Sequence, residues 1–201
     1  MIDGVIKYTF DFQQTEPLKH EQFTEIESLR KRLFALNLIG VTDEGIGFGN
    51  ISQRVGRDSF VITGTQTGHL AKLQGEHYAL IEAYNDKEFY LKSSGAIKPS
   101  SEALTHGTIY NLSFDISAVI HIHSKVIWNF MLKNNYLKTE DVAYGTKEMI
   151  DEVNRIFSTI EPLSNPKFVM LGHEDGVIIF GTDLLSAELI LYEMLKKVVN
   201  A

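Results

Sequence analysis

The chain of 201 residues contains no cysteine. That absence excludes disulfides, thiolate nucleophiles and thiolate metal sites together, so any metal ion must be held through nitrogen and oxygen. No run of 18 apolar residues is present to span a bilayer. The opening MIDGVIKYTFDF also lacks the basic start and apolar stretch of an export signal. A cytoplasmic protein without membrane attachment is expected. Positive charge is scarce: 19 Lys and Arg face 26 Asp and Glu, for a net charge of -7. Such an average field repels nucleic-acid backbones and anionic membranes, so neither is an expected partner. Repeats, low-complexity tracts and linkers are missing as well. With 44% hydrophobic and 22% charged residues, the composition predicts a single domain over residues 1–201 with one sizeable core.

Periodicity outlines the elements. Between Glu21 and Leu38, Phe23, Ile26, Leu29, Leu33 and Leu36 fall at helical spacing, with Gly40 as a stop. NISQRV, SFVIT, HYALIEAY and EFYLKS read as strands of an antiparallel sheet. KPSSEALTHGTIYNL opens with Pro99 and two serines and continues as a helix. GTKEMIDEVNRIFSTI places Met149, Val153, Ile156 and Ile160 on one stripe behind a Thr146 cap. FVMLGHEDGVIIFG reads as a hairpin around Asp175-Gly176. Thr182 to Val199 closes the chain as a helix capped by Thr182 or Asp183, with Leu184, Ala187, Leu191, Leu195 and Val198 facing inward. Hairpins in the middle with helices before and after predict a mainly antiparallel sheet between helical layers.

The chemistry centres on SAVIHIHSKVIW. A strand alternates its faces, which puts His121 and His123 beside Val119 and leaves Ala118, Ile120 and Ile122 on the other side. By itself His-x-His is a weak signal, and two satisfied polar residues at a strand end explain it equally well. His173, immediately before the Asp175-Gly176 turn, is the natural third ligand. Three neutral imidazoles around Zn²⁺, or another divalent ion, leave a coordination position vacant, and an open site points to catalysis. His20, His69 and His77 lack partner spacing and read as structural. His106, one turn after Glu102, is either a support for the site or simply a helix residue. Glu102 lies in the first turn of its helix, where the macrodipole favours a carboxylate for structural reasons alone. A hydroxy-carbonyl substrate nevertheless needs an acid/base, and a glutamate beside a cation can serve.

GFGNISQR, FVITGT, KPSSEALTHGTIY, AVIHIHS, AYGTKEM and VMLGHEDGVIIFG occur in this order. This series resembles the class II aldolase and adducin family, typified by fuculose-phosphate aldolase, across most of Glu21 to Ala201. The joint pattern is the specific part: Pro-Ser-Ser-Glu, then His-x-His nineteen residues after the glutamate, then a later His. The resemblance implies an α/β fold, a three-layer α/β/α arrangement with a mainly antiparallel central sheet, usually assembled as a tetramer with active sites between subunits. It also implies Zn²⁺ on His121, His123 and His173, with Glu102 as the acid/base. The implied reaction is cleavage of a small hydroxy-carbonyl compound, such as a sugar phosphate, through a zinc-stabilised enediolate. Asn50, Thr65, Ser100 and Ser101 match the positions that hold the phosphate.

The chain departs from the pattern in places. ITGTQTGHL is longer than the usual loop, so either Thr65-Gln66 or Thr67-Gly68 fills the place of the family's hydroxyl-glycine pair. Gly47 replaces a frequent hydroxyl residue, and Tyr136 and Tyr144 are the candidates for a catalytic tyrosine. Glu174 and Asp175 extend a turn. Aldolase, dehydratase and epimerase chemistries share this scaffold, and a non-catalytic adducin-like interaction domain is the reading from another class. A cupin would need a glutamate shortly after the histidine pair, and Lys125 to Lys133 contains no acid.

Overall fold

A computed structural model describes residues 6–201; the first five residues of the expected domain lie outside it. Its β-branched and aromatic runs pair into one eight-stranded sheet in the order β1-β7-β6-β5-β4-β8-β10-β9. The strands are β1 (Thr9–Gln14), β4 (Asn50–Arg54), β5 (Phe60–Thr63), β6 (Tyr78–Asn85), β7 (Tyr90–Gly95), β8 (Ala118–His123), β9 (Lys167–Val169) and β10 (Gly176–Gly181). Among the described residues only the β1–β7 strand pairing is parallel; every other strand pair in this sheet is antiparallel. β2 (Gly40–Val41) and β3 (Gly47–Phe48) form a separate two-stranded ribbon.

The helices cover both faces. On one side α2 (Ala103–Leu112) and α4 (Lys147–Ile156) contribute Ile109, Met149 and Val153 to a core shared with Phe60, Ile62, Val119 and Ile178. On the other side α1 (His20–Ala35), α3 (Lys125–Lys133) and α5 (Leu184–Val199) pack Ile26, Leu29, Ile127, Met131 and Leu191 against Ile51, Ile120, Ile122 and Ile179. The two-residue period of β8 therefore feeds both cores, Val119 into one and Ala118, Ile120 and Ile122 into the other. The fold is the expected three-layer α/β/α arrangement around a mainly antiparallel sheet.

Local signals explain most boundaries. Thr146 caps α4 by accepting from the Met149 amide, and Asp183 caps α5 by accepting from that of Ser186. α1 stops earlier than its apolar spacing predicts. Asn37 takes a left-handed φ of 54°, which ends the helix before Gly40 and leaves Leu36 48% exposed. Leu38 is buried in its place. Sequence reading misses the parallel edge strand β1, the short ribbon strands β2 and β3, and α3, which follows β8 with only Ser124 between them. Ser124 makes the switch by capping α3 through the Ile127 amide.

The expected hairpin forms, with β9 antiparallel to β10, but its connection is longer than a two-residue Asp175-Gly176 turn. β9 ends at Val169 and β10 begins at Gly176, so residues 170–175 form a loop, with Asp175 at φ 64°. Internal bonds from the His173 amide to the Met170 carbonyl and from the Gly176 amide to the His173 carbonyl order it. Gly172 lets the loop approach the neighbouring backbone, since a Cβ there would lie 2.1 Å from the Val142 carbonyl oxygen. His173 is thus a loop residue, between the ends of β9 and β10.

Ile120, fully buried where β8 meets the α1–α3–α5 layer, tests this packing. Ile120→Ala is expected to cost about 2–5 kcal/mol through lost burial and the cavity left behind. Leu36→Ala is expected to stay within about 0.5 kcal/mol. Urea-unfolding midpoints read both, and equal effects would contradict the placement of the two side chains.

Candidate metal centre

β8 carries His121 and His123 on the face it shares with Val119, and the β9–β10 loop swings His173 against them. One nitrogen from each of the three imidazoles can be chosen so that all lie within 4.8 Å of one another. The ring centroids are 4.9 Å apart for His121–His123, 5.0 Å for His121–His173 and 4.4 Å for His123–His173. The Nε2 atoms of His121 and His123 are separated by 3.2 Å. Two nitrogens bound tetrahedrally to one zinc ion sit about 3.3 Å apart, so this spacing fits a shared cation. His121 Nδ1 lies 3.3 Å from the Val177 carbonyl. That contact favours the tautomer that leaves Nε2 with its lone pair toward the cluster.

Glu102 closes the group from the start of α2. It is buried, with Oε2 3.3 Å from His121 Nε2 and Oε1 3.5 Å from His173 Nδ1. Asn50, on β4 directly opposite His121 in the sheet, donates its Nδ2 to Oε2 at 2.7 Å. Glu102 Oε1, His173 Nδ1 and Asn50 Oδ1 are all buried without a hydrogen-bond partner among the described residues. Unmet polar atoms converging on one point are what an ion and its ligand would satisfy.

A cleft with an internal volume of about 80 Å³ opens onto these groups. Asn50, Thr65, Ser100 and Ser101 all line it with Glu102, His123 and His173, and so do Thr67 and Gly68. The lengthened loop therefore presents both of its hydroxyl residues. Of the two tyrosine candidates only Tyr144 reaches the site, its ring stacked on His173 at 4.3 Å. Tyr136 instead packs beside Phe130 and Lys197. His106 is a buried support whose Nδ1 meets Ser52 Oγ at 2.7 Å, and Ser52 in turn meets the Tyr110 hydroxyl at 2.8 Å. His20, His69 and His77 make local contacts with Thr24, Gln66 and Gln74 outside the cluster.

Sequence reasoning missed the N-terminal buttress. The Tyr8 hydroxyl donates to the Ser100 carbonyl at 3.0 Å. Lys7 Nζ donates to the Tyr144 carbonyl at 2.7 Å and stands 4.3 Å from that ring's centre. No motif marks these residues, because their partners are backbone carbonyls and a ring face.

These features define a class: a three-layer α/β protein whose sheet and one loop present three imidazoles and a buried carboxylate to an open cleft. The chain belongs to the class II aldolase and adducin family, since residues 40–197 match its model, Class II Aldolase and Adducin N-terminal domain. Solved structures share the fold at low identity. YgbL from Klebsiella pneumoniae superposes with a TM-score of 0.66 at 16% identity, covering 89% of this chain and 87% of that one. An L-fuculose 1-phosphate aldolase gives 0.68 at 18%, covering 92% and 85%. The sugar-phosphate aldolase from Thermotoga maritima gives 0.61 at 17%, covering 90% and 94%. Among the described residues no helix is long and apolar enough to cross a membrane.

Burial governs the electrostatics. It pulls His106 down to about 3, His121 down to about 4 and His123 down to about 2. These imidazoles are thus neutral at pH 7, which leaves those of His121 and His123 able to donate a lone pair to a metal. For Glu102 burial works against ionisation, yet the attraction of His121 and His173, 3.3 and 3.5 Å from its oxygens, outweighs it and holds the carboxyl below its ordinary range. With the imidazoles neutral, a bound divalent cation is the natural source of the positive charge this carboxylate calls for.

The unfolded chain binds protons at these histidines near 6.5, above the folded values, so it takes them up first as pH falls. Their contribution to stability is therefore complete above about pH 6.5 and is lost on acidification toward the folded values, at up to about 1.4 kcal/mol per pH unit for each site. Urea unfolding of metal-free protein between about pH 7 and 5 is expected to show this slope. A flat profile would contradict it.

Proposed function

We propose that the protein is a metal-dependent, aldolase-type lyase acting on a small hydroxy-carbonyl compound of the sugar-phosphate class, with Zn²⁺ as its metal. One observation carries the reading: three convergent imidazoles and a buried carboxylate, with unmet polar atoms, open onto a cleft lined by hydroxyl and amide groups. His121, His123 and His173 would hold the ion and leave part of its coordination sphere for substrate. When bound, the ion supplies Lewis-acid stabilisation of negative charge developing on the substrate's oxygens.

The protein's own groups divide the remaining work. Asn50 anchors Glu102 at Oε2, which leaves Oε1 as the atom that accepts a proton from the substrate and returns it to the departing fragment. Asn50 Oδ1, buried and without a partner among the described residues, accepts from a substrate hydroxyl. Thr65, Ser100 and Ser101 bind the phosphate through hydroxyls and nearby amides. Tyr144, on the same cleft, forms the wall against His173. A volume of about 80 Å³ is well below the roughly 300–1,000 Å³ of sites that enclose a whole ligand. It accommodates the reacting end alone, which fits an assembly of copies, four by family resemblance, in which a neighbour covers the remainder. The cytoplasm is the proposed setting.

A dehydratase or epimerase on the same residues is the second reading. It is favoured by YgbL, to which aldolase, epimerase or decarboxylase activity is ascribed. A non-catalytic, adducin-like interaction domain would instead carry no metal.

Purified protein is expected to contain about one transition-metal ion per chain, bound tightly enough to survive gel filtration. Removal by a chelator should abolish turnover of a panel of sugar phosphates, and zinc should restore it. Glu102→Gln should retain the ion and lose about 10²–10⁴-fold in kcat. His173→Ala should lose the ion as measured by atomic absorption. Turnover that survives complete chelation would sink the proposal, and the product formed, a free aldehyde or an epimer, separates the two catalytic readings.

A further inference from the structure

One wall of the cleft is backed by a buried cation. Arg30 of α1 is 0% exposed. Its Nη2 donates to the Thr67 carbonyl at 3.1 Å and more weakly to that of Gly68 at 3.5 Å. Its Nη1 has no hydrogen-bond partner among the described residues. Glu27, one turn earlier, spends its carboxylate oxygens on the Leu73 amide and the Tyr78 hydroxyl. The Phe34 ring lies 5.3 Å from the guanidinium carbon. A guanidinium withdrawn from water without a carboxylate bonded to it is unfavourable. What it does to the loop accounts for its place.

In a trans peptide the carbonyl and the N–H point in opposite directions. Drawing the Thr67 carbonyl toward α1 therefore turns the Gly68 amide the other way, toward Gly47. A Cβ built on Gly47 would lie 3.5 Å from Gly68 N, and both glycines line the cleft. Among the described residues no backbone acceptor is bonded to the Gly68 amide. Gln66, at a left-handed φ of 58°, adds the conformation that gathers amides on one side of a turn. No lysine or arginine is among the described residues that line the cleft, so Arg30 brings its charge from behind the wall.

We propose that Arg30 is a positioning residue for an anion-binding turn at Thr65–Gly68: it fixes the turn's carbonyls, aims the Gly68 amide into the cleft and adds a permanent positive charge for the substrate's phosphate. The inference rests on the sugar-phosphate reading and deepens it by naming the residue outside the cleft that holds its anion-binding turn in place. Gly47 is the companion requirement, since a larger residue there covers the amide.

The test titrates inorganic phosphate into the zinc-loaded full chain by calorimetry, comparing wild type with Arg30→Met, Arg30→Lys and Gly47→Ala. Arg30→Met is expected to weaken phosphate binding about tenfold or more with zinc content unchanged, and Arg30→Lys to recover part of the loss. Gly47→Ala leaves Arg30 untouched and adds a methyl at ordinary contact distance, and it should weaken phosphate several-fold. With a turned-over sugar phosphate, Arg30→Met should raise KM more than it lowers kcat. Phosphate binding by Arg30→Met within about twofold of wild type overturns the role of Arg30. If that variant does not fold, wild-type-like binding by both Arg30→Lys and Gly47→Ala overturns it. A wild type that binds zinc but no phosphate overturns the placement of the anion, whereas chelation-sensitive turnover then continues to support the lyase reading, so the two failures are distinguished.

Discussion

Three imidazoles and a carboxylate share a space a few ångströms across, almost out of reach of water, and the surrounding structure is arranged to hold them there. His121 and Glu102 are each less than a twentieth exposed. Neither ionises there without compensation, because burial penalises charge on both. A cation shared among them relieves several unfavourable terms at once. It uses the neutral imidazole lone pairs, neutralises the carboxylate and occupies the point on which the unmet atoms converge. Without it the cluster is a concentrated desolvation penalty within a well-packed fold.

The scaffold keeps those groups in place by ordinary means. Strand register sets Asn50 opposite His121, so the residue that steadies Glu102 is delivered by the same ladder that delivers a candidate ligand. The loop carrying His173 is ordered by its own backbone bonds and by a glycine pressed on Val142. Beneath the site, Tyr110, Ser52 and His106 tie α2 to β4, fixing the helix from which Glu102 emerges. The segment before the matched family region also takes part, for Tyr8 and Lys7 brace the carbonyls of Ser100 and Tyr144.

What the sequence disclosed follows from which physics is local. Alternation in AVIHIH put His121 and His123 on one face because strand geometry allows nothing else, and the stripes of α4 and α5 were legible for the same reason, although α4 ends at Ile156 and leaves Ile160 beyond it. Boundaries were less legible. Leu36 keeps the apolar period of α1, yet a left-handed Asn37 ends the helix before that period matters. α3 was hidden because its apolar residues continue those of β8, and only the Ser124 cap marks the change. Arg30, Tyr8 and Lys7 were invisible because their partners are backbone carbonyls far along the chain, and no side-chain pattern encodes such contacts.

The cost of the cluster also bears on the choice between catalyst and inert interaction domain. A buried ionisable group is commonly replaceable by an apolar one of similar size at no loss of stability, and often with a gain. Under selection for stability alone, His121, His123 and Glu102 would therefore be among the first residues to go, and the supporting bonds from Asn50 and Ser52 would lose their purpose. In this chain they stand together at a sheet that carries an apolar core on each face. A protein selected only to present its outer surface has no reason to maintain a polar interior that opens onto a cleft. One that must hold a cation and move a proton beside it does.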